Sequence, residues 1–357
     1  MSTTTEIPPD AAAARTPRRF DANLMALCIV VLAALPVPYL LSTPQREIAV
    51  RILLFALLSV GWNVMGGFAG QFSFGHAAFF GIGAYTSAFL LVNFGLSPWI
   101  GMALGAILAA GFAGLTGYLS FRYKLTGAYF ALATLAFAEM LRNIVSHAPV
   151  VNRAAGFRVP LERDESWWML QFAPGSVNYY FAILGLFAAS MAAVILLMRS
   201  RTGYFIVAVR ENEDAAASLG IDATRYKMIA VAVSGAITAV GGSFFFQFLF
   251  FIDPELAFGA AISVQILLPA IIGGTGTIWG PPIGAFILVL LGESTTNFAR
   301  NPPAFLGFIE GRSGVELMIF GAVLIVIIIY LPRGVFGSLK QRYDRGALRR
   351  ATAGGNP

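Results

Sequence analysis

The 357-residue chain has one cysteine, Cys28, and two histidines, His76 and His147. A single thiol cannot build a disulfide framework, and Cys28, inside an apolar run, reads as a small buried side chain. The histidines are far apart and have no carboxylate at metal-ligand spacing, which argues against a zinc site. No GxxxxGK[ST] loop occurs, so a P-loop is not the chain's route to nucleotide. Charge is scarce too: 12% of residues are charged, against about 25% in soluble domains, while 57% are hydrophobic and mean hydropathy is +0.75. A soluble globule is excluded, and an all-α polytopic membrane protein is indicated.

Apolar runs of roughly 17 to 25 residues suit helices that cross a hydrocarbon core of about 30 Å. They lie near Leu24 to Leu41, Ile48 to Met65, Phe72 to Phe94, Trp99 to Ser120, Leu125 to Val145, Tyr179 to Met198, Met228 to Phe251, Phe258 to Gly274, Ile278 to Leu291 and Val315 to Leu331. The eighth and ninth are short and glycine-interrupted, so about ten spans are expected, within a range of eight to ten. The first run follows a polar stretch and lacks a small-residue cleavage site, so it reads as a retained helix rather than a signal peptide.

Basic residues near helix ends stay in the cytoplasm. With the N-terminus inside, ten spans place two thirds of the 24 basic residues on that face: Arg15 to Arg19, Arg122 and Lys124, the segment Arg199 to Lys227, and the tail from Arg333. The net charge of +6 is then topological. An excess of basic residues beside a bilayer needs no nucleic acid to explain it. In the longest external loop, Trp167 and Trp168 read as an interfacial aromatic belt, with docking of an external partner as the alternative.

Glycine crowds two joints. Gly61 to Tyr85, GWNVMGGFAGQFSFGHAAFFGIGAY, joins the second and third spans and carries Asn63, Gln71, Ser73 and His76; Gly273 to Gly284, GGTGTIWGPPIG, is the second joint. Small residues allow close helix packing, and broken helices at membrane depth are tolerated where they are buried in protein or line a cavity. The four polar residues therefore mark either tight packing or a translocation pathway. Phe74-Gly75-His76-Ala77-Ala78 is echoed by Phe258-Gly259-Ala260-Ala261, a relation that an inverted-topology repeat would produce. Glu139 and Arg142, three apart, are placed to pair at an outer helix end; Glu293 and Glu316 also read as helix-end residues. No carboxylate sits convincingly deep in the bilayer, as an ion-coupled secondary transporter would require, and the two histidines supply no dyad for an intramembrane enzyme.

Between the sixth and seventh spans lies RSRTGYFIVAVRENEDAAASLGIDATRYK, Arg199 to Lys227. It is too charged to cross a bilayer and too helical in composition for a plain loop.

Three stretches carry a resemblance: GQFSFGHAAFFGIGAY (Gly70 to Tyr85), AVRENEDAAASLGID (Ala208 to Asp222), and Asp253 to Phe258 with Ile271 to Gly284. They resemble the LivM-type permease subunits of branched-chain amino acid ABC importers, over most of Asn63 to Leu331. The resemblance implies a non-catalytic, multi-pass permease of the bacterial inner membrane with both termini cytoplasmic. It also implies a second LivH-type permease, two cytoplasmic ABC ATPases and a periplasmic binding protein as partners. No cofactor is expected on this chain; ATP and Mg belong to the partner subunits.

In such importers a Glu-Ala-Ala-x-x-x-Gly pattern marks the helix that seats in an ATPase groove, and Glu213, Asp214, Ala215, Ala216 and Gly220 stand at that pattern. The alanines supply a narrow face, so that Ala216→Trp is expected to block seating. Gly220 ends the helix, and Arg210, Glu211, Asn212, Glu213 and Asp214 supply polar contacts at the rim. The implied organisation is a disordered cytoplasmic N-terminus over 1–23, a transmembrane permease domain over 24–332 with its coupling segment at 199–227, and a basic cytoplasmic tail over 333–357. The external stretch NRAAGFRVPLERD, Asn152 to Asp164, departs from the family in lacking a Thr-Gly-Gly-rich run. Related permeases carry urea, short amides or aromatic acids, so the departure bears on the solute rather than on the class.

Overall fold

The computed structural model describes residues 19–160, 165–300, 314–330 and 334–335. Of the expected disordered N-terminus over 1–23, residues 1–18 lie outside these residues while 19–23 are helical; the expected basic tail over 333–357 lies outside them except for 334–335. The described residues are helical almost throughout. Its first helix, α1 (Arg19–Ala34), already begins ahead of Leu24, and Pro36 separates it from a short α2 (Val37–Leu40). Then come α3 (Thr43–Asn63), α4 (His76–Phe94), α5 (Pro98–Arg122), α6 (Gly127–His147) and α7 (Val177–Arg199). The cytoplasmic-type segment forms α8 (Arg201–Glu211) and α9 (Glu213–Ser218). The chain continues through α10 (Ala223–Leu249), α11 (Pro254–Phe258), α12 (Ala260–Gly273), α13 (Gly280–Arg300) and α14 (Val315–Tyr330).

Among the described residues nine helices are long and apolar enough to cross a membrane. The tenth run is the 16-residue helix α14. The third span starts at His76 rather than Phe72, because the chain leaves helix over residues 69–75. The ninth runs on to Arg300, well past Leu291. Glu293 therefore stands within α13 and not at a helix end, 3.2 Å from Arg51 of α3. The anticipated Glu139–Arg142 pair forms at 2.8 Å, and Arg142 also reaches Glu255 of α11 at 2.7 Å.

Small side chains set the packing. Along α5, Gly101, Gly105, Ala109, Ala113 and Gly117 recur every fourth residue and are all buried, so one flat stripe faces α4 and α10. Such stripes let helices approach to backbone contact, the main source of helix association in lipid. The α4–α10 crossing is closer still. A methyl group added at Gly83 would overlap the Ala239 carbonyl oxygen, and one at Gly242 would overlap the Phe80 carbonyl oxygen. Ser243 Oγ donates to Gly83 O at 2.9 Å across the same crossing. By contrast α1 lies at the rim against α7, and Cys28 is exposed on it rather than buried; a peripheral helix has fewer neighbours to cover it.

Helices α4 and α5 pack on each other and both on α10, while α12 and α13 pack on each other and both on α3. Exchanging α3 with α10, α4 with α12 and α5 with α13 thus reproduces the neighbour relations. The echoed FG-x-A motifs fall at matching places, with Gly75 as the N-cap of α4 and Gly259 as the N-cap of α12. The paired elements are five spans apart, which reverses their direction, as an inverted repeat requires.

At the end of the bundle that carries the loop before α7, β1 (Phe157–Arg158) pairs antiparallel with β2 (Phe251–Ile252). The Trp167 and Trp168 rings are exposed. Their carbonyls accept from Trp99 Nε1 at 2.8 Å and Ser97 Oγ at 2.5 Å, fastening the loop to the start of α5.

Candidate functional site: the two glycine joints and the α8–α9 segment

Two glycine joints meet at one place. After Asn63 the backbone widens into a π turn over Val64–Phe68 and then turns at Gly70, whose φ of +67° favours glycine. Here glycine is also required by space: a methyl on Gly66 would press on the buried Trp62 ring, and one on Gly67 would meet the Asn63 side chain and Gly276 N. Asn63 ties this joint to the second. Its Nδ2 donates to Thr277 O at 2.9 Å, and its Oδ1 accepts from Gly276 N at 2.8 Å. Both ends of one buried amide are therefore satisfied by backbone groups more than 200 residues away.

The other three polar residues of the first joint lie beyond the turn. Trp62 Nε1 donates to Ser73 O at 2.9 Å. Ser73 Oγ accepts from Gly75 N at 3.1 Å and lies 3.3 Å from His76 Nδ1, while His76 Nε2 pairs with Ser234 Oγ of α10 at 2.8 Å. The first N–H groups of a helix have no partner within it. Here Ala77 N donates to Ser263 Oγ of α12, and Phe74 N, just ahead of α4, donates to Thr134 Oγ1 of α6. Asn63, Ser73 and His76 are buried, and Gln71, half-buried, donates to Ala69 O at 3.3 Å. In this conformation each is engaged by neighbouring chain, and Asn63 stands with the second joint whereas Ser73 and His76 stand with α10.

The α8–α9 segment is built by its polar residues. Ser200 Oγ caps α8, which turns Gly203, Ile206 and Val209 inward. Asn212, in extended conformation, breaks the helix and caps the next by accepting from Ala215 N at 2.9 Å. Glu213 and Asp214 then fill the first turn of α9, where negative charge suits the helix dipole. Gly220, at φ +81°, closes α9 in a Schellman motif: Gly220 N donates to Ala217 O at 2.9 Å and Ile221 N to Ala216 O at 3.1 Å.

Three placements differ from the sequence reading. Ala216 is 3% exposed and faces the chain's own body, while Ala215 and Ala217 are exposed and Leu219 is 82% exposed. Ala216→Trp would therefore disturb the segment itself, and the outward narrow face is Ala215 and Ala217. Glu213 is not a free rim charge: its Oε2 lies 2.5 Å from Nζ of Lys227, a buried side chain that also sits 5.6 Å over the Phe121 ring. Arg210 likewise turns inward, with Nη1 donating to Gly67 O at 3.0 Å and its remaining nitrogens on Glu211. All five rim residues, Arg210 to Asp214, stay at the surface, so these inward bonds are made by side chains that remain in part exposed. Beside α9 a groove of about 420 Å³ is lined by Phe205, Leu219, Ile221, Asp222, Arg225 and Tyr226.

Sequence reading missed Lys227, Ser234, Ser263 and Thr277, because a serine, threonine or lysine at a helix position carries no signal of what it will meet. It also missed Gln247. Its side-chain amide is fully buried in α10 and has no hydrogen-bond partner among the described residues, a state that costs about 1–3 kcal/mol.

Comparison with known proteins identifies this framework. The model of the branched-chain amino acid transport system permease component family matches residues 46–328. The chain belongs to that family. It is 27% identical over 333 residues to the high-affinity branched-chain amino acid transport system permease protein LivM of Salmonella typhimurium, covering 87% of this chain and 74% of that one. To LivH of Escherichia coli strain K12 it is 24% identical over 294 residues, covering 79% and 91%. A shorter match, 26% over 179 residues and about half of each chain, is to the L-arabinose transport system permease protein AraH of the same organism. No solved structure matches. As a family member this chain is a multi-pass permease component, and the matched span takes in both glycine joints and the α8–α9 segment.

Proposed function

We propose that this permease is the transmembrane subunit of an ATP-driven importer in a bacterial inner membrane, with both termini in the cytoplasm. It pairs with a second, LivH-type permease. Two ABC ATPases bind from the cytoplasm, and a periplasmic protein delivers the solute. The solute is a branched-chain amino acid or a similar small polar molecule. The chain performs no bond chemistry; ATP and Mg are held by the ATPases.

The observation that carries this reading is the construction of α8–α9 within a family permease. The segment is capped at Asn212, closed at Gly220 and tied to the bundle through Glu213–Lys227 and Arg210–Gly67, yet it presents Ala215, Ala217 and Leu219 outward. A loop held this firmly at its base and left apolar at its tip suits docking of a partner and transmission of force. On ATP binding the ATPases close, α8–α9 moves with them, and the helix bundle exchanges its outward and inward openings. Asn63, Gln71, Ser73 and His76 lie on the inner joint that such a change must rearrange.

Reconstitution tests the proposal. The complex purified through a tag on this chain is placed in proteoliposomes with its binding protein and labelled leucine. The expected result is accumulation that requires Mg-ATP and persists with a protonophore. Accumulation without ATP, abolished by the protonophore, would overturn the proposal in favour of a secondary carrier.

A further inference from the structure

Arg210 occupies a position that docking alone does not explain. A contact residue for a cytoplasmic partner would point outward, but this side chain runs back over the membrane joint. Its stem crosses Gly70, where an added Cβ would stand 2.7 Å from Arg210 Cγ. Its Nη1 donates to Gly67 O at 3.0 Å, and an added Cβ on Gly276 would stand 2.8 Å from the same nitrogen. One guanidinium from α8 thus touches both glycine joints, which Asn63 already ties to each other through Gly276 and Thr277. Glu211 holds the rest of the fork, so the guanidinium has little freedom to swing away. The glycines are what admit it: they bare a carbonyl oxygen and clear a channel that any larger residue would fill.

We propose that Arg210 is the pin through which movement of α8–α9 reaches the two inner joints of the bundle, a positioning residue for transport. The inference rests on the reading that α8–α9 docks an ATPase. A planar, multiply donating head on a long stem suits this work, because it can grip a backbone oxygen on one side and a carboxylate on the other. Displacement of α8 then pulls on Gly67, and through Asn63 on Gly276 and Thr277. Segments from the two halves of the chain move together.

The test is hydrogen–deuterium exchange on the full complex, purified through a tag on this chain and held in lipid nanodiscs, without nucleotide and with Mg-ATP trapped by vanadate. In the wild type, peptides covering 201–218, 64–72 and 274–280 are all expected to change their exchange on trapping. In Arg210→Ala the change at 201–218 should persist while the change at both joints falls at least fivefold. Gly70→Ala, which displaces the stem from the membrane side, should do the same, and the double variant should lose no more than either single one. Joints that respond in both single variants as in the wild type would overturn the pin while leaving the docking reading intact. A wild-type complex whose 201–218 peptides do not respond to nucleotide would overturn both.

Discussion

Gly83→Leu is expected to lower the amount of folded chain in the membrane at least tenfold, while Gly185→Leu leaves it within twofold of wild type. Both residues lie inside helices, α4 and α7, and both substitutions improve helix propensity. Their surroundings decide the outcome. Gly83 lies against the backbone of Ala239, its carbonyl accepts from Ser243 Oγ, and on its other side Gly105 of α5 comes so close that a Cβ there would stand 3.0 Å from Gly83 Cα. A side chain at 83 must push α10 away from α4 at a crossing that α5 also closes on, and the atoms in its way are backbone that cannot change rotamer. Overpacking typically costs about 1–3 kcal/mol where side chains can yield; here they cannot. Lost association leaves no substitute, since lipid packs against an isolated helix as well as another apolar surface does. Gly185 has nothing within 4 Å of an added Cβ. Fluorescence-detected size-exclusion chromatography of tagged variants reads the difference. Equal yields would show that the α4–α10–α5 crossing is not where the bundle is held.

Asn63→Leu is expected to be the most damaging change at the inner joints that keeps side-chain volume. It removes two hydrogen bonds and leaves Gly276 N–H and Thr277 C=O without the partner each has now. A fully buried orphan costs about 1–3 kcal/mol; Gly276 and Thr277 are half-buried, so each costs less than that. The two joints would no longer be tied, so the thermal midpoint of the purified chain should fall and transport should fall more than tenfold. Asn93→Leu is the control. That amide is exposed near the end of α4 and, among the described residues, bonds to Phe89 O of its own helix, so its loss should leave midpoint and transport nearly unchanged. A midpoint for Asn63→Leu equal to that of the control would remove Asn63 from the account of the joint.

Much of this architecture is written in the sequence. Each apolar run became a helix, because in lipid the backbone must satisfy itself within the segment. The glycine joints were visible, but the break over residues 69–75 was not, since Phe72 and Phe74 read as the start of the third apolar run. Which way a short polar helix faces was not visible. In α9 the three alanines are chemically equal, and only the approach of α10, with Lys227 seeking Glu213, decides that Ala216 goes inward. The bond from Arg210 to Gly67 O was hidden for the same reason. A charged residue in a cytoplasmic segment reads as a solvated rim group unless one knows that a bare glycine carbonyl lies within its reach. Capping was partly legible: Gly220 announces its role by type, whereas Asn212 in a run of charged residues reads equally well as a contact.

The central claim is that the exposed tip of α9 docks an ATP-hydrolysing subunit in the cytoplasm. A photo-crosslinking amino acid placed at Leu219, the most exposed apolar residue of that tip, tests it in intact cells, with the same probe at Trp168, in the loop before α7 that the proposal puts on the opposite face, for comparison. The account predicts that the Leu219 probe forms an adduct whose partner peptide maps to a protein carrying a GxxxxGK[ST] nucleotide loop, and that the Trp168 probe does not. An adduct of that protein from Trp168 and none from Leu219 would contradict both the assigned orientation and the docking role of α8–α9.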